Sequence, residues 1–313
     1  MLPIEDSLPA ESDVRANWHQ GEPVLSIICL SYNHADFIWQ TLTGFVIQRT
    51  TFPFEIICYD DLSTDKTRSI IEYFHQRYPS IIRLIFPNEN KYSKGVRPVE
   101  DIVKPECKGR FVATCEGDDY WTDPLKVQKQ VTFLQQHPDY VLTTHDVHAV
   151  DEKGQVIATE CLAEFYKADF SSKDLIHGWA GPKTQAMLFR NVISEYPPEF
   201  RNCPYGDVFL NSLLGQFGGS KYMADIKPSV YRLHSDGIFS PLSISEKVDM
   251  QAQCFLWISR YYHRIGKYAD AKIYRIKALE KYQRELNFLD FIKLSLVRFF
   301  NFKIKKLFHW RIF

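Results

Sequence analysis

The run TCEGDDYWTDP, residues 114–124, places Glu116, Asp118 and Asp119 almost side by side and follows them with two aromatics, a further acid and a proline. A second stretch, FEIICYDD, closes in the same way on Asp60 and Asp61. Carboxylates gathered in a low-dielectric cleft repel one another unless a cation neutralises them, and oxygen ligands of this kind suit Mg2+ or Mn2+. Taken singly, either pair also fits a helix N-cap or a solvated turn, because aspartate favours both. Two pairs, each ending an apolar run, make a metal site the more economical reading, with Tyr120 and Trp121 as an apolar wall.

The elements that must position these groups are legible in the pattern. VLSIICLS from Val24 is a nearly continuous apolar and β-branched run, which suits a strand covered on both faces of a parallel sheet. The next segment changes to helical spacing, with Phe37, Ile38, Leu42, Phe45 and Val46 on one side. FEIICYDD reads as a second strand, LSTDKTRSIIEYFHQRYP as a helix capped by Ser63 or Thr64, IIRLIFP as a third strand, and RFVATCEGDD as a fourth before the helix DPLKVQKQVTFLQQHP. This alternation predicts a doubly wound α/β layer with a mostly parallel sheet. Residues 87–108 read as a loop with a short helix.

Beyond Tyr140 the pattern is mixed. YVLTTHDVHAVDEKGQVIA predicts a strand pair joined through Glu152, Lys153 and Gly154, and KTQAMLFR a further strand. A helix over GDVFLNSLLGQFG and a strand over KPSVYRLHSDG follow, and the chain is read as helical from Ser243 onward.

The 313 residues, 45% hydrophobic and 24% charged, can bury a substantial core, and the formal net charge of zero removes a whole-protein case for nucleic acid. Seven cysteines without a C-x-x-C pair indicate a reducing cytosol. The polar first twenty residues lack an apolar signal region, and no uninterrupted run of eighteen apolar residues occurs, so neither export by that route nor a membrane span is expected. The absence of G-x-G-x-x-G and P-loop sequences weighs against a dinucleotide oxidoreductase or a kinase.

SIICLSYNHADFIWQTLTGFVIQ, FEIICYDDLSTDKT and GRFVATCEGDDYWTDPLKVQKQ, in that order and spacing, resemble glycosyltransferase family 2. The likeness runs from about Val24 to His234. It implies the GT-A (nucleotide-diphospho-sugar transferase) fold over residues 23–240, after a polar segment at 1–22 and before a C-terminal α-helical extension at 241–313. It further implies that Tyr32 and Asn33 flank the nucleotide, that Asp61 recognises base or ribose with Asp60 supporting the turn, and that Asp118 contacts ribose or sugar. Asp119 is implied as the ligand of Mn2+ or Mg2+. Such a cation stabilises charge on a departing nucleoside diphosphate.

An inverting transfer also needs a group to take the acceptor's proton. The family resemblance gives that role to Asp207 in CPYGDVFLNSLL, although locally Asp207 is equally an N-cap. VYRLHSDG resembles the family's closing segment, in which His234 touches the metal or the diphosphate and Arg232 helps neutralise it. Trp121 and Glu116 are further candidates for diphosphate or acceptor contact. Glu116 stands where many relatives have aspartate, and no Q-x-x-R-W occurs, which disfavours the processive subclass.

Residues 257–282 resemble one tetratricopeptide-type helix pair, read as an extension packed on the catalytic domain, or else as a docking surface for a partner or a second copy of the chain. Residues 291–313 interleave six Lys or Arg with six Phe and one Trp and carry no acid. That composition favours peripheral contact with an anionic bilayer over packing against a partner. The expected function is metal-dependent inverting transfer of a sugar, from a nucleotide donor read as a UDP-sugar, to a saccharide or lipid-linked acceptor. The setting is surface polysaccharide assembly at the inner face of the cytoplasmic membrane. The rivals are a sugar nucleotidyltransferase and a non-catalytic scaffold with a relict nucleotide-sugar site.

Overall fold

The computed structural model describes residues 8–159, 161–235, 237 and 242–285. The chain divides into two compact units, Met1–Tyr196 with Leu210–Ser240, and Pro197–Phe209 with Pro241–Phe313.

The first unit opens with helix α1 (Glu11–Arg15), then alternates β1 (Leu25–Ser31), α2 (Ile38–Val46), β2 (Phe54–Asp60), α3 (Thr67–Arg77) and β3 (Ile82–Ile85). Strand β1 lies between β2 and β4 (Phe111–Thr114), parallel to both, which is why its apolar run is uninterrupted. Helix α2 buries Ile38, Leu42, Phe45 and Val46 against this layer. Gly44 is needed there, because a Cβ would stand 2.9 Å from the Trp121 carbonyl oxygen.

Residues 87–108 hold two 3-10 turns and a π turn over Pro98–Val103. Helix α4 (Lys126–Gln136) leads to β5 (Tyr140–Thr144), β6 (Val147–Val150) and β7 (Val156–Ala158). The segment read as one strand pair is thus divided. β5 joins the large sheet, and the hairpin is β6 with β7, turning through residues 151–155. After α5 (Ser172–Ile176) come β8 (Leu188–Arg190), helix α6 (Gly206–Leu214), β9 (Gly219–Tyr222) and β10 (Ser229–Arg232). The large sheet runs β3-β2-β1-β4-β8-β5-β9, and only β8 is antiparallel to its neighbours; the small sheet runs β10-β6-β7.

Helix α3 begins at Thr67, later than a Ser63 or Thr64 cap requires. Ser63 is engaged elsewhere: its hydroxyl accepts from the Asn33 N–H at 2.8 Å and donates to Asp60.

In the second unit, α7 (Ile244–Arg264) starts from a Ser243–Glu246 capping box and pairs with α8 (Tyr268–Glu285). Tyr262 and Tyr274 stack at 6.0 Å, and Ser259 Oγ donates to the Ala271 carbonyl at 2.8 Å. Arg264 grips Glu199 with two bonds, at 2.6 and 2.8 Å. The basic aromatic stretch 291–313 lies outside the described residues. Among those described, no helix is long and apolar enough to cross a membrane.

Candidate functional site

Register assembles the site. Ser31 at the end of β1 pairs with Asp60 at the end of β2, so the first acidic pair emerges beside the SYNH turn. On the other side β4 ends at Thr114, yet the chain keeps pairing with β1. Cys115 N–H donates to the Ile28 carbonyl at 3.0 Å and Gly117 N–H to that of Leu30 at 2.8 Å. The second acidic pair therefore leaves the sheet at the same edge, which is where open α/β sheets hold ligands.

The corner at Asp60 and Asp61 is densely bonded. Asp60 Oδ2 accepts from Ser63 N–H at 3.1 Å and pairs with Arg68 Nε at 3.3 Å. Asp61 is buried, and its carboxylate accepts from Tyr59 Oη at 2.6 Å and from the Lys91 and Tyr92 N–H groups at 2.8 and 3.0 Å. Burial, then the bond to Asp61, pushes the Tyr59 phenol up, so it remains a donor. Asp61 thus fixes the start of the 90–95 loop. Tyr32 is 47% exposed above this corner, and Asn33 adopts φ 55°, with Oδ1 accepting from Thr64 N–H at 2.8 Å.

Three side chains from distant segments meet at Asp118. Its Oδ2 lies 3.0 Å from His234 Nε2 and 3.9 Å from His34 Nε2. Burial acts to raise the Asp118 carboxyl, but the His234 bond and the two imidazoles bring it below its ordinary value. Burial lowers His34 by more than Asp118 raises it, which keeps the ring neutral near pH 7. Asp118 Oδ1 is buried with no hydrogen-bond partner among the described residues.

Asp119 faces another way. Its Oδ1 accepts from the Arg232 N–H at 2.9 Å, and burial followed by the Asp118 charge raises its carboxyl well above the ordinary range. The segment after β10 is brought here by a bridge between Tyr120 and Val230, with N–H···O distances of 3.2 and 2.8 Å. Two residues beyond the bridge Arg232 meets Asp119, and two further on His234 meets Asp118. The Arg232 guanidinium is spent on protein acceptors: the Asp118 carbonyl at 3.1 Å, the Asp151 carbonyl at 3.3 Å and Gln40 Oε1. It also covers the Phe37 ring at 4.7 Å. Glu152 Oε1 accepts from Ser235 N–H at 2.9 Å and fixes the chain just past His234.

The remaining candidates separate. Trp121 is wholly buried, its Nε1–H donating to the Gln185 carbonyl at 2.8 Å and its ring packed edge-on against Phe45, so it is part of the core rather than a surface for diphosphate or acceptor. Glu116 is exposed, and its carbonyl accepts from Asp119 N–H at 3.1 Å. Asp207 is exposed in the first turn of α6, where its Oδ1 accepts from Val208 N–H at 2.8 Å, within the second unit. Sequence reasoning singled out neither His34 nor Gln40. His34 sits inside the SYNH turn that drew attention for Tyr32 and Asn33, and its imidazole was the available signal.

The set formed by Asp118, His34 and His234, whose ligand atoms lie within 4.8 Å of one another, is able to hold a divalent cation. The unpartnered Asp118 Oδ1 and the neutral imidazole of His34 suit that use.

The sequence profile of glycosyl transferase family 2 matches residues 26–196, and the chain belongs to this family. An uncharacterised protein of Mycobacterium tuberculosis is 35% identical over 224 residues, 69% of this chain and 60% of that relative. WfaP of Escherichia coli, a UDP-Glc:α-D-GlcNAc-diphosphoundecaprenol β-1,3-glucosyltransferase, is 32% identical over 112 residues, covering 36% of this chain and 41% of WfaP. The mannosyltransferase PcManGT of Pyrobaculum calidifontis, solved with GDP-Man and Mn2+, superposes with TM-score 0.54 at 14% identity, over 89% of this chain and 80% of its own. That likeness shows a common fold, the GT-A arrangement of a mostly parallel sheet flanked by helices. The matched regions span 60% and 41% of the lengths of these two sequence relatives, less than two thirds of either.

Proposed function

We propose that the protein is a metal-dependent inverting glycosyltransferase that moves a sugar from a nucleoside-diphosphate donor to a saccharide or lipid-linked acceptor. The observation that carries this reading is Asp118, half-satisfied beside His234 at the sheet edge, level with the Asp60–Asp61 corner. Residues 23–240 serve as the catalytic domain and 241–313 as its helical extension.

Tyr32 and Asn33 offer the exposed surface on which the nucleotide base rests, and Asp60 and Asp61 hold the turns around it. Asp118 and His234 hold the cation, Mn2+ or Mg2+, and Asp119 keeps the segment after β10 in register so that His234 reaches Asp118. When bound, the cation supplies Lewis-acid stabilisation of charge on the leaving diphosphate. The acceptor hydroxyl oxygen forms a bond to the anomeric carbon as the carbon–oxygen bond to the diphosphate breaks, and the carboxylate of Asp207 takes the hydroxyl proton. Attack opposite the leaving group inverts the anomeric centre.

The naming of WfaP supports a UDP-sugar donor and a diphospho-lipid acceptor. The proposed setting is the inner face of the cytoplasmic membrane, with the basic aromatic composition of residues 291–313 supporting a peripheral contact. Incubating the full chain with UDP-sugars, Mn2+ and a diphospholipid-linked sugar should release UDP and yield a product of inverted anomeric configuration. Asp118→Asn should reduce that release by about a hundred- to a thousand-fold. Pyrophosphate released from a nucleoside triphosphate would identify a nucleotidyltransferase, and the absence of any turnover across the donors would leave the scaffold.

A further inference from the structure

We infer that His34 is a second imidazole ligand of the Asp118–His234 site, so that the three side chains select a divalent transition ion over Mg2+. This rests on the metal-dependent reading above and adds to it both a residue and a metal class.

The geometry is close to that of a filled site. Ligands around an ion with bonds of about 2.0–2.2 Å stand roughly 3–3.5 Å apart when adjacent. Asp118 Oδ2 lies 3.0 Å from His234 Nε2 and 3.9 Å from His34 Nε2, and all three ligand atoms fall within 4.8 Å of one another. The His34 main chain is anchored, while its ring Nδ1 is buried without a hydrogen-bond partner among the described residues. Its backbone N–H donates to Thr67 Oγ1 at 2.7 Å, and its carbonyl accepts from the Phe37 and Ile38 N–H groups at 2.9 and 2.8 Å. Its ring meets that of His234 edge-on at 6.1 Å. On the remaining side the backbone is cleared for it, because a Cβ at residue 117 would stand 2.8 Å from His34 Nδ1.

A purely structural role accounts poorly for this arrangement. One imidazole N–H would satisfy Asp118 Oδ2, yet two rings converge on it while Oδ1, buried, has no partner among the described residues. A cation shared by the three groups gives each ring a function and the carboxylate a counter-charge. The donor chemistry then decides the metal. Mg2+ prefers an octahedral oxygen shell and keeps its waters, whereas imidazole nitrogens suit first-row transition ions, so two imidazoles beside one carboxylate would favour an ion such as Mn2+ over Mg2+.

The test is metal binding by the full chain, with and without UDP, for the wild type, His34→Gln and His234→Gln. Free Mn2+ is read by electron paramagnetic resonance, and Mg2+ by its competition with Mn2+. The wild type should prefer Mn2+, and both variants should bind it at least about tenfold more weakly, the loss that even outer partners of metal ligands incur. Wild-type affinity in His34→Gln alongside weakened His234→Gln overturns the proposal but leaves the metal-dependent reading intact. No binding of either ion by the wild type, with or without UDP, sinks both. Should His34→Gln fail to fold, pulsed resonance on the wild-type Mn2+ complex decides the matter: two coordinated imidazole nitrogens support the assignment, and one overturns it.

Discussion

The main-chain N–H of Arg232 donates to Asp119 Oδ1 at 2.9 Å, which commits the second member of the acidic pair to the protein's own backbone. Asp119 is therefore an organiser of the segment that delivers His234. The first member, Asp118, is the one turned toward the histidines.

That relationship gives Asp119→Asn a distinct signature in metal-free protein. The folded-state value of Asp119 is raised, by burial and then by Asp118, so the native state holds a proton that the unfolded state releases above about pH 4. Stability from this group is complete below that value and falls as pH rises through the folded one. Asparagine keeps the acceptor oxygen and cannot ionise. The Tm of Asp119→Asn relative to wild type should thus grow as pH rises above about 4, as followed by thermal melts in chelator. A constant difference across that range would contradict the assignment.

Gly117→Ala should destabilise through sterics alone. The added Cβ would meet His34 Nδ1 at 2.8 Å, Ile38 Cδ1 at 2.9 Å and Ser31 Cβ at 3.1 Å, and overpacking of this kind costs about 1–3 kcal/mol. Urea unfolding should show a lower midpoint with an unchanged slope, accompanied by weaker Mn2+ binding.

Lys126 is fully buried in α4, its Nζ 2.9 Å from Gln130 Oε1 and 4.0 Å from the Trp121 ring centroid, and burial lowers its pKa to about 7. The unfolded chain binds this proton up to about pH 10.4, so stability due to Lys126 is complete above that value and is lost as pH falls toward 7. Lys126→Met removes the charge and leaves Gln130 Oε1 without that donor, a cost of about 1–3 kcal/mol at every pH. The variant's Tm relative to wild type should therefore be most favourable at or below about pH 7 and decline toward pH 10. A flat profile would show that the amine is charged throughout.

Asp207→Asn tests the proposed proton acceptor separately from donor binding. Because Asp207 is exposed and its Oδ1 accepts from Val208 N–H, the amide should preserve the helix start, with a Tm within a degree or two of wild type. Transfer should fall by about a hundredfold or more, the usual contribution of a general base, while UDP binding measured by calorimetry stays unchanged. Full turnover in this variant would remove Asp207 from the mechanism.

What the sequence by itself determined were features carried by short segments. Buried parallel strands need continuous apolar runs, so β1, β2 and β4 were readable, and with them the carboxylates that close β2 and follow β4. Hydrophobic spacing located α2, α3 and α4. The hairpin turn at Glu152–Gly154 was legible, but the division of its first strand into β5 and β6 was not, because YVLTTHDVHAV has the same local pattern whether it forms one strand or contributes to two sheets; only long-range pairing with β8, β9 and β10 separates the cases. Tertiary structure alone decided how Asp118 and Asp119 divide their work. Asp118 sits inside the turn closed by the Asp119 N–H to Glu116 carbonyl bond and Asp119 at its exit, so the turn and the Tyr120–Val230 bridge after it set which carboxylate meets His234. The meeting of His34, Asp118 and His234 was invisible for the same reason: it joins turns that are remote in the chain, and only sheet register makes them neighbours.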